Sequence, residues 1–181
     1  MQPPLDTARL RMRPFLPEDA ERMFPMFALD EVGRYTGGTH ASVDDTRALI
    51  AKATEHQEAH GFSLWVVEER ETGELIGEVG LQLLEHRGPE VEIGWSFHPS
   101  RWGRGYAREA AEAWLEVAFG TLGLDEVLAT IIPENHASRR LAERLGMTLV
   151  GERYVHRATH NVFALTAAEF AGARAAAAAD G

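Results

Sequence analysis

Residues 98–110, HPSRWGRGYAREA, put two glycines, two arginines and two aromatics into seven positions and then pass into alanine- and glutamate-rich sequence. The run before them, PEVEIGWSFHP, alternates Glu90 and Glu92 against Val91 and Ile93, which is the pattern of a strand. Strand, glycine turn and helix in that order form a geometry for binding anions. Free backbone N–H groups at a helix N-terminus point outward, and the helix dipole adds positive potential. Gly103 and Gly105 permit unusual φ values and close backbone approach, and Arg101 and Arg104 could add charge-assisted contacts. A strand-to-helix turn can also use glycines merely to change direction, and this fragment alone does not separate the two. Two phosphate motifs fail here. The dinucleotide fingerprint needs a third small residue where Arg108 stands, and the P-loop ending in Gly-Lys-Ser/Thr is absent.

The chain of 181 residues is 45% hydrophobic, which suits one domain with a real core. We read residues 1–171 as that domain and 172–181 as an alanine-rich tail expected to fray. The N-terminus, MQPPLDTARLRMRPF, has no apolar run of the signal-peptide kind, and no stretch has the length of a membrane span. There is no cysteine, so disulfides, thiolate metal sites and a cysteine nucleophile are excluded. A cytoplasmic protein with no membrane partner is the expectation. The net charge of −10 argues against nucleic acid and favours a basic or amine partner.

Further signals set the order of elements. ARLRMRPF has the period of a strand, and LPEDAERMFPMF opens a helix that Pro25 should break or kink. Ser42 with Asp45 reads as a capping pair for a helix that Gly61 closes. FSLWVVEE, LIGEVGLQLL and PEVEIGWSFHP read as strands, followed by the glycine loop and a helix to Gly123. DEVLATIIP is a strand, SRRLAERLG a short helix, and MTLVGERYV and NVFALTAAEF two closing strands. This order predicts an α/β fold with a mixed, mostly antiparallel sheet. A central parallel strand pair comes from the right-handed crossover around residues 91–132, and helices cover both faces.

A second constellation lies one strand downstream, in IIPENHASRRLAERLGM. Asn135 sits at the C-terminal mouth of its strand and Ser138 near the start of the next helix. Together, VEIGWSFHPSRWGRGYAREA and LGLDEVLATIIPENHASRRLAERLGMTLVGE resemble the GCN5-related N-acetyltransferase (GNAT) superfamily. Within it they look most like the ribosomal-protein-alanine (RimJ/RimL-type) branch. The resemblance runs from Arg9 to Phe170 and is strongest from Glu92 to Gly151.

The resemblance implies acetyl-CoA as co-substrate and no metal. The amides of Trp102, Gly103, Arg104, Gly105, Tyr106 and Ala107 would hold its pyrophosphate; Trp102 stands where the family pattern has Gln or Arg. The strand would carry a bulge near Phe97, whose amide faces the thioester carbonyl, and Phe97 and His98 would bond the pantetheine arm like an added strand. Asn135 matches the family's pantetheine contact. Ala142 occupies the position of the usual acidic tyrosine, so Ser138 becomes the candidate for protonating the leaving thiolate. An alkyl amine is mostly protonated at neutral pH, so a carboxylate should take its proton. Glu92 is the first choice, with Glu78 and Glu134 as alternatives.

The acceptor expected from this branch is an N-terminal α-amine of a protein or peptide. A free amino acid, a polyamine or an aminoglycoside fits the same scaffold, and a non-catalytic acyl-CoA-binding module is the reading from another class. A homodimer is the assembly the resemblance suggests. His156 with His160 does not lie on a helix, so a metal reading is set aside, and His56 with His60 reads as a solvated helix face. Trp65, Trp95 and Trp114 read as packing residues, while Trp102, Tyr35 and Tyr106 could line a pocket. The glycine-rich segment 32–42 would border the acceptor site.

Overall fold

The computed structural model describes residues 4–179, and residues 1–3 and 180–181 lie outside that range. The described strands number eight. Two compact units form, one from the segment ending at Gln82 with Gly94–Trp114, the other from Leu83–Ile93 with the chain from Leu115 onward.

In the first unit, β1 (Leu5–Asp6), β2 (Leu10–Arg13), β3 (Leu64–Glu69) and β4 (Leu75–Leu83, as far as Gln82) pair antiparallel in that order. The alternation in LRMR is visible as burial: Leu10 and Met12 are fully buried. Three helices come between β2 and β3: α1 (Asp19–Phe27), α2 (Asp30–Gly33) and α3 (Val43–His60). Pro25 lies inside α1 without ending it. It stands close to the C-terminus, so it removes one hydrogen bond, and the helix closes through Ala28 N–H to Phe24 O at 2.9 Å. The start of α3 is a capping box of Ser42 and Asp45, and Gly61 ends the helix at φ 80°, both as expected. Phe15, Met23, Met26, Phe27, Ile50 and Val66 form the core here. His56 is buried, with Nδ1 2.8 Å from Phe62 O, so its expected solvated position is corrected.

The second unit is built on β5 (Val91–Phe97), whose first three residues belong to it, together with β6 (Glu126–Ile131), β7 (Thr148–Val155) and β8 (Ala158–Thr166). β5 and β6 run parallel with Glu92 beside Leu128, while β6–β8 and β7–β8 are antiparallel. One parallel pair among antiparallel strands is the α/β arrangement expected. α4 (Tyr106–Glu116), which belongs to the first unit as far as Trp114, is followed by a π-helical turn over Val117–Thr121, and α5 (His136–Arg144) connects β6 to β7. Leu84, Leu128, Val155, Val162 and Ala164 pack together.

The last element differs from the sequence reading. β8 stops at Thr166, where the Thr166 N–H donates to Glu169 at 2.9 Å and the Glu169 N–H to Thr166 Oγ1 at 3.3 Å. This capping box begins α6 (Ala167–Ala179). The last two residues of the alanine-rich tail lie outside the described range.

Candidate functional site

The glycine loop follows the end of β5 at Phe97. Pro99–Arg101 form a short 3₁₀ turn capped by the His98 ring, which accepts from Ser100 N–H. Trp102 then folds back, its indole N–H donating to Phe97 O at 2.8 Å. Gly103 and Gly105 hold φ values of 72° and 78°, a conformation that suits glycine, and α4 begins at the next residue, Tyr106. A Cβ built on Gly103 would meet nothing within 4 Å, and one on Gly105 only the Arg9 guanidinium at 3.5 Å. The outer side of the loop is therefore open at the N-terminal end of an eleven-residue helix.

Behind the loop the side chains are tightly paired. The buried Tyr106 hydroxyl donates to Glu69, which also accepts from Thr72 Oγ1 at 2.9 Å and from Arg101 at 3.2 Å. The Tyr106 hydrogen bond holds the Glu69 carboxyl below its usual range, and Thr72 adds to it. Arg101 pairs with Glu74 as well. Arg101 is thus committed to two carboxylates, which corrects its expected part in adding charge to the loop. Arg104 is exposed, and its carbonyl accepts from Arg9 at 2.9 Å. The His98 N–H donates to Ile76 O on β4 at 2.9 Å.

The four carboxylate and hydroxyl candidates have distinct surroundings. Glu78, on β4, is buried, and its Oε2 has no hydrogen-bond partner. Burial alone pushes its pKa up to about 7. Glu92, on β5, is equally buried but satisfied: Oε2 accepts from Thr130 Oγ1 at 2.6 Å, and Oε1 lies 2.9 Å from His156 Nε2. That contact raises the His156 pKa. Glu134 is exposed. In α5, Asn135 is the N-cap, its Oδ1 accepting from Ser138 N–H at 3.1 Å, and Ala142 is fully buried.

Sequence reasoning missed His156 as the partner of Glu92, 64 residues away. His156 and Arg157 sit at φ 49° and 66°, forming the two-residue turn between β7 and β8. Such turns usually take glycine or asparagine, because the left-handed region costs other residues about 1 kcal/mol or more. The hairpin keeps a histidine there all the same, and its ring reaches Glu92. Arg9 and Glu69 were likewise missed; their contacts with the loop join strands and helix far apart in sequence, and no local motif marks them.

Comparison with known proteins supplies the rest. A family model described as an acetyltransferase (GNAT) domain matches residues 9–148. An uncharacterized N-acetyltransferase of Bacillus subtilis, YoaA, is 35% identical over 153 residues, 83% of this chain and 86% of the relative. The crystal structure of an acetyltransferase from Agrobacterium tumefaciens superposes with a TM-score of 0.78 at 29% identity, over 91% of this chain and 95% of its own. The ribosomal-protein-S5-alanine acetyltransferase of Vibrio fischeri shares the fold, with a TM-score of 0.76 at 18% identity over 91% of this chain and 97% of its own. No helix among the described residues is long and apolar enough to cross a membrane.

Proposed function

The chain belongs to the GNAT acetyltransferase family, and from that premise we propose that it moves the acetyl group of acetyl-CoA to a primary amine by direct attack. An N-terminal α-amine of a protein or peptide is the first acceptor to consider. The observation that carries this reading is the open two-glycine loop at the start of α4. Its amides, from Trp102 to Ala107, are the proposed seat of the coenzyme pyrophosphate. Asn135 is the proposed contact for the pantetheine amides.

In the reaction the amine nitrogen attacks the thioester carbonyl carbon, the C–S bond breaks and the thiolate leaves. The Phe97 amide is the proposed donor to the developing oxyanion. Two protons must move. The ammonium form of the acceptor gives one up before attack, and Glu78 is the carboxylate best suited to take it. A base works best with a pKa near the working pH, and Glu78 combines a value of about 7 with an unpartnered oxygen. A second reading keeps Glu92 as the base, favoured by its contact with the half-buried His156, through which a proton could pass outward. The thiolate takes the other proton, for which Ser138 is the proposed donor.

Thiol release from acetyl-CoA, followed with an N-terminal-alanine peptide, free amino acids, a polyamine and an aminoglycoside, tests the reading. Turnover with the peptide supports the α-amine acceptor, and turnover only with a small amine moves the acceptor to that class. Tight acetyl-CoA binding without turnover for any amine would make the chain a binding module. Loss of turnover in Glu78→Gln with activity kept in Glu92→Gln identifies Glu78 as the base, and the reverse result identifies Glu92.

A further inference from the structure

We infer that Arg9 is a positioning residue for the glycine loop, fixing the direction of the Gly105 N–H by holding the carbonyl of the same peptide unit. The inference rests on the reading of the loop as a phosphate cradle and adds a residue 95 positions earlier in the chain.

Arg9 precedes β2, about a hundred residues before the loop it touches, and both its backbone and its guanidinium are engaged. Its backbone N–H donates to Glu109 Oε1 at 2.9 Å and its Nε to Glu109 Oε2 at 2.7 Å. Thr7 Oγ1 donates to the same carboxylate at 2.6 Å, so Glu109 ties the entry of β2 to the first turn of α4. The guanidinium carbon lies 4.4 Å from the centre of the Tyr106 ring. With those anchors in place, Nη1 reaches Arg104 O at 2.9 Å.

The last bond separates Arg9 from an ordinary surface ion pair. Glu109 alone would satisfy a surface arginine, and such pairs are worth little. Arg104 lies between the two glycines that take positive φ, in the most permissive stretch of backbone in the loop. In a planar trans peptide the C=O and the following N–H point in opposite directions. Drawing the Arg104 carbonyl toward Arg9 therefore turns the Gly105 N–H away from Arg9 and toward the open side. Without that bond the Arg104–Gly105 peptide has no partner among the described residues to stop it from rotating between two glycines. Arg9 thus supplies orientation that the glycines cannot supply for themselves.

The test measures acetyl-CoA affinity by calorimetry and follows glycine amides by NMR of the glycine-15N-labelled full chain, for wild type, Arg9→Gln, Arg9→Lys and Gly105→Asp. We expect Arg9→Gln to weaken acetyl-CoA binding on the order of tenfold, the worth of a hydrogen bond to a charged group. We also expect it to diminish the downfield movement of the Gly105 amide proton at saturation. Arg9→Lys, which keeps the charge and one donor but loses the fork, should fall between. Unchanged affinity in Arg9→Gln while Gly105→Asp has lost binding overturns the role of Arg9 and leaves the loop reading intact. Weakened affinity with the Gly105 movement intact also overturns it, because the loss then arises elsewhere. Wild-type affinity in Gly105→Asp overturns the loop reading itself. If melting shows Arg9→Gln unfolded, Arg9→Lys is judged by the same two readouts.

Discussion

Glu78→Gln should make the protein more stable at pH 8 and change it little at pH 5. Glu78 is buried without a partner for Oε2, and its carboxyl is raised from 4.5 to about 7. Below pH 4.5 the group is neutral whether the chain is folded or unfolded, and it contributes nothing to the pH dependence. Between 4.5 and about 7 the folded protein keeps a proton that the unfolded chain releases, so stability falls as pH rises. Above about 7 the folded protein carries the full cost of a buried charge. A carboxyl raised from 4.5 to about 7 corresponds to on the order of 3 kcal/mol between its two protonation states. Glutamine has the same shape and no charge, so the variant escapes that cost. Urea unfolding of both proteins at pH 5 and pH 8 reads the effect as the gap between them, in which every other titrating group cancels. Most of the gap should open between the two pH values. An equal gap at both would refute the reasoning, since the carboxyl would then titrate normally. Turnover measured on the same samples separates the two roles: a variant that gains stability and loses turnover marks a residue kept for its chemistry at a thermodynamic disadvantage.

Three other outcomes follow from the geometry. Asp19 is fully buried and takes two hydrogen bonds from Arg13 and one from Leu16 N–H, so Asp19→Ala should destabilise by about 3 kcal/mol in denaturant unfolding, as expected for a broken buried pair. His156, raised by its bond to Glu92, contributes stability in full below 6.5 and loses it as pH rises through its folded value. Its NMR titration midpoint should lie above 6.5 and fall toward it in Glu92→Gln. Gly33→Ala would set a Cβ 2.5 Å from Thr39 N and 2.7 Å from its Cα, and should lower the melting temperature by an amount equivalent to about 1–3 kcal/mol.

Local chemistry made much of this fold readable. The capping box at Ser42, the closing glycine at Gly61 and the alternation in β2 are signals written within a few residues, and each formed as expected. The glycine loop was legible for the same reason. The pair Thr166 and Glu169 was equally local, yet the apolar run before it read as continuing strand and hid the start of α6. The supports of the site were not legible. Glu92 with His156, Arg9 with Arg104, and Glu69 with Tyr106 and Arg101 meet only because strands and helices bring distant segments together. Burial likewise distinguishes the acids. Glu78 and Glu92 read alike in sequence as strand carboxylates, but one has an unpartnered oxygen in the interior and the other is bonded at both oxygens.

The indole of Trp102 has a practical consequence. The chain has four tryptophans, and Trp65 and Trp114 are buried edge to face against each other, 4.9 Å between ring centres. Trp102 is 52% exposed and sits on the glycine loop, pinned by one bond to Phe97 O. Trp95 is half-buried, so Trp102 should give the most red-shifted emission and the component that iodide quenches most strongly. Protection of that component on adding coenzyme would give the loop a built-in optical signal, read on unlabelled protein in a cuvette.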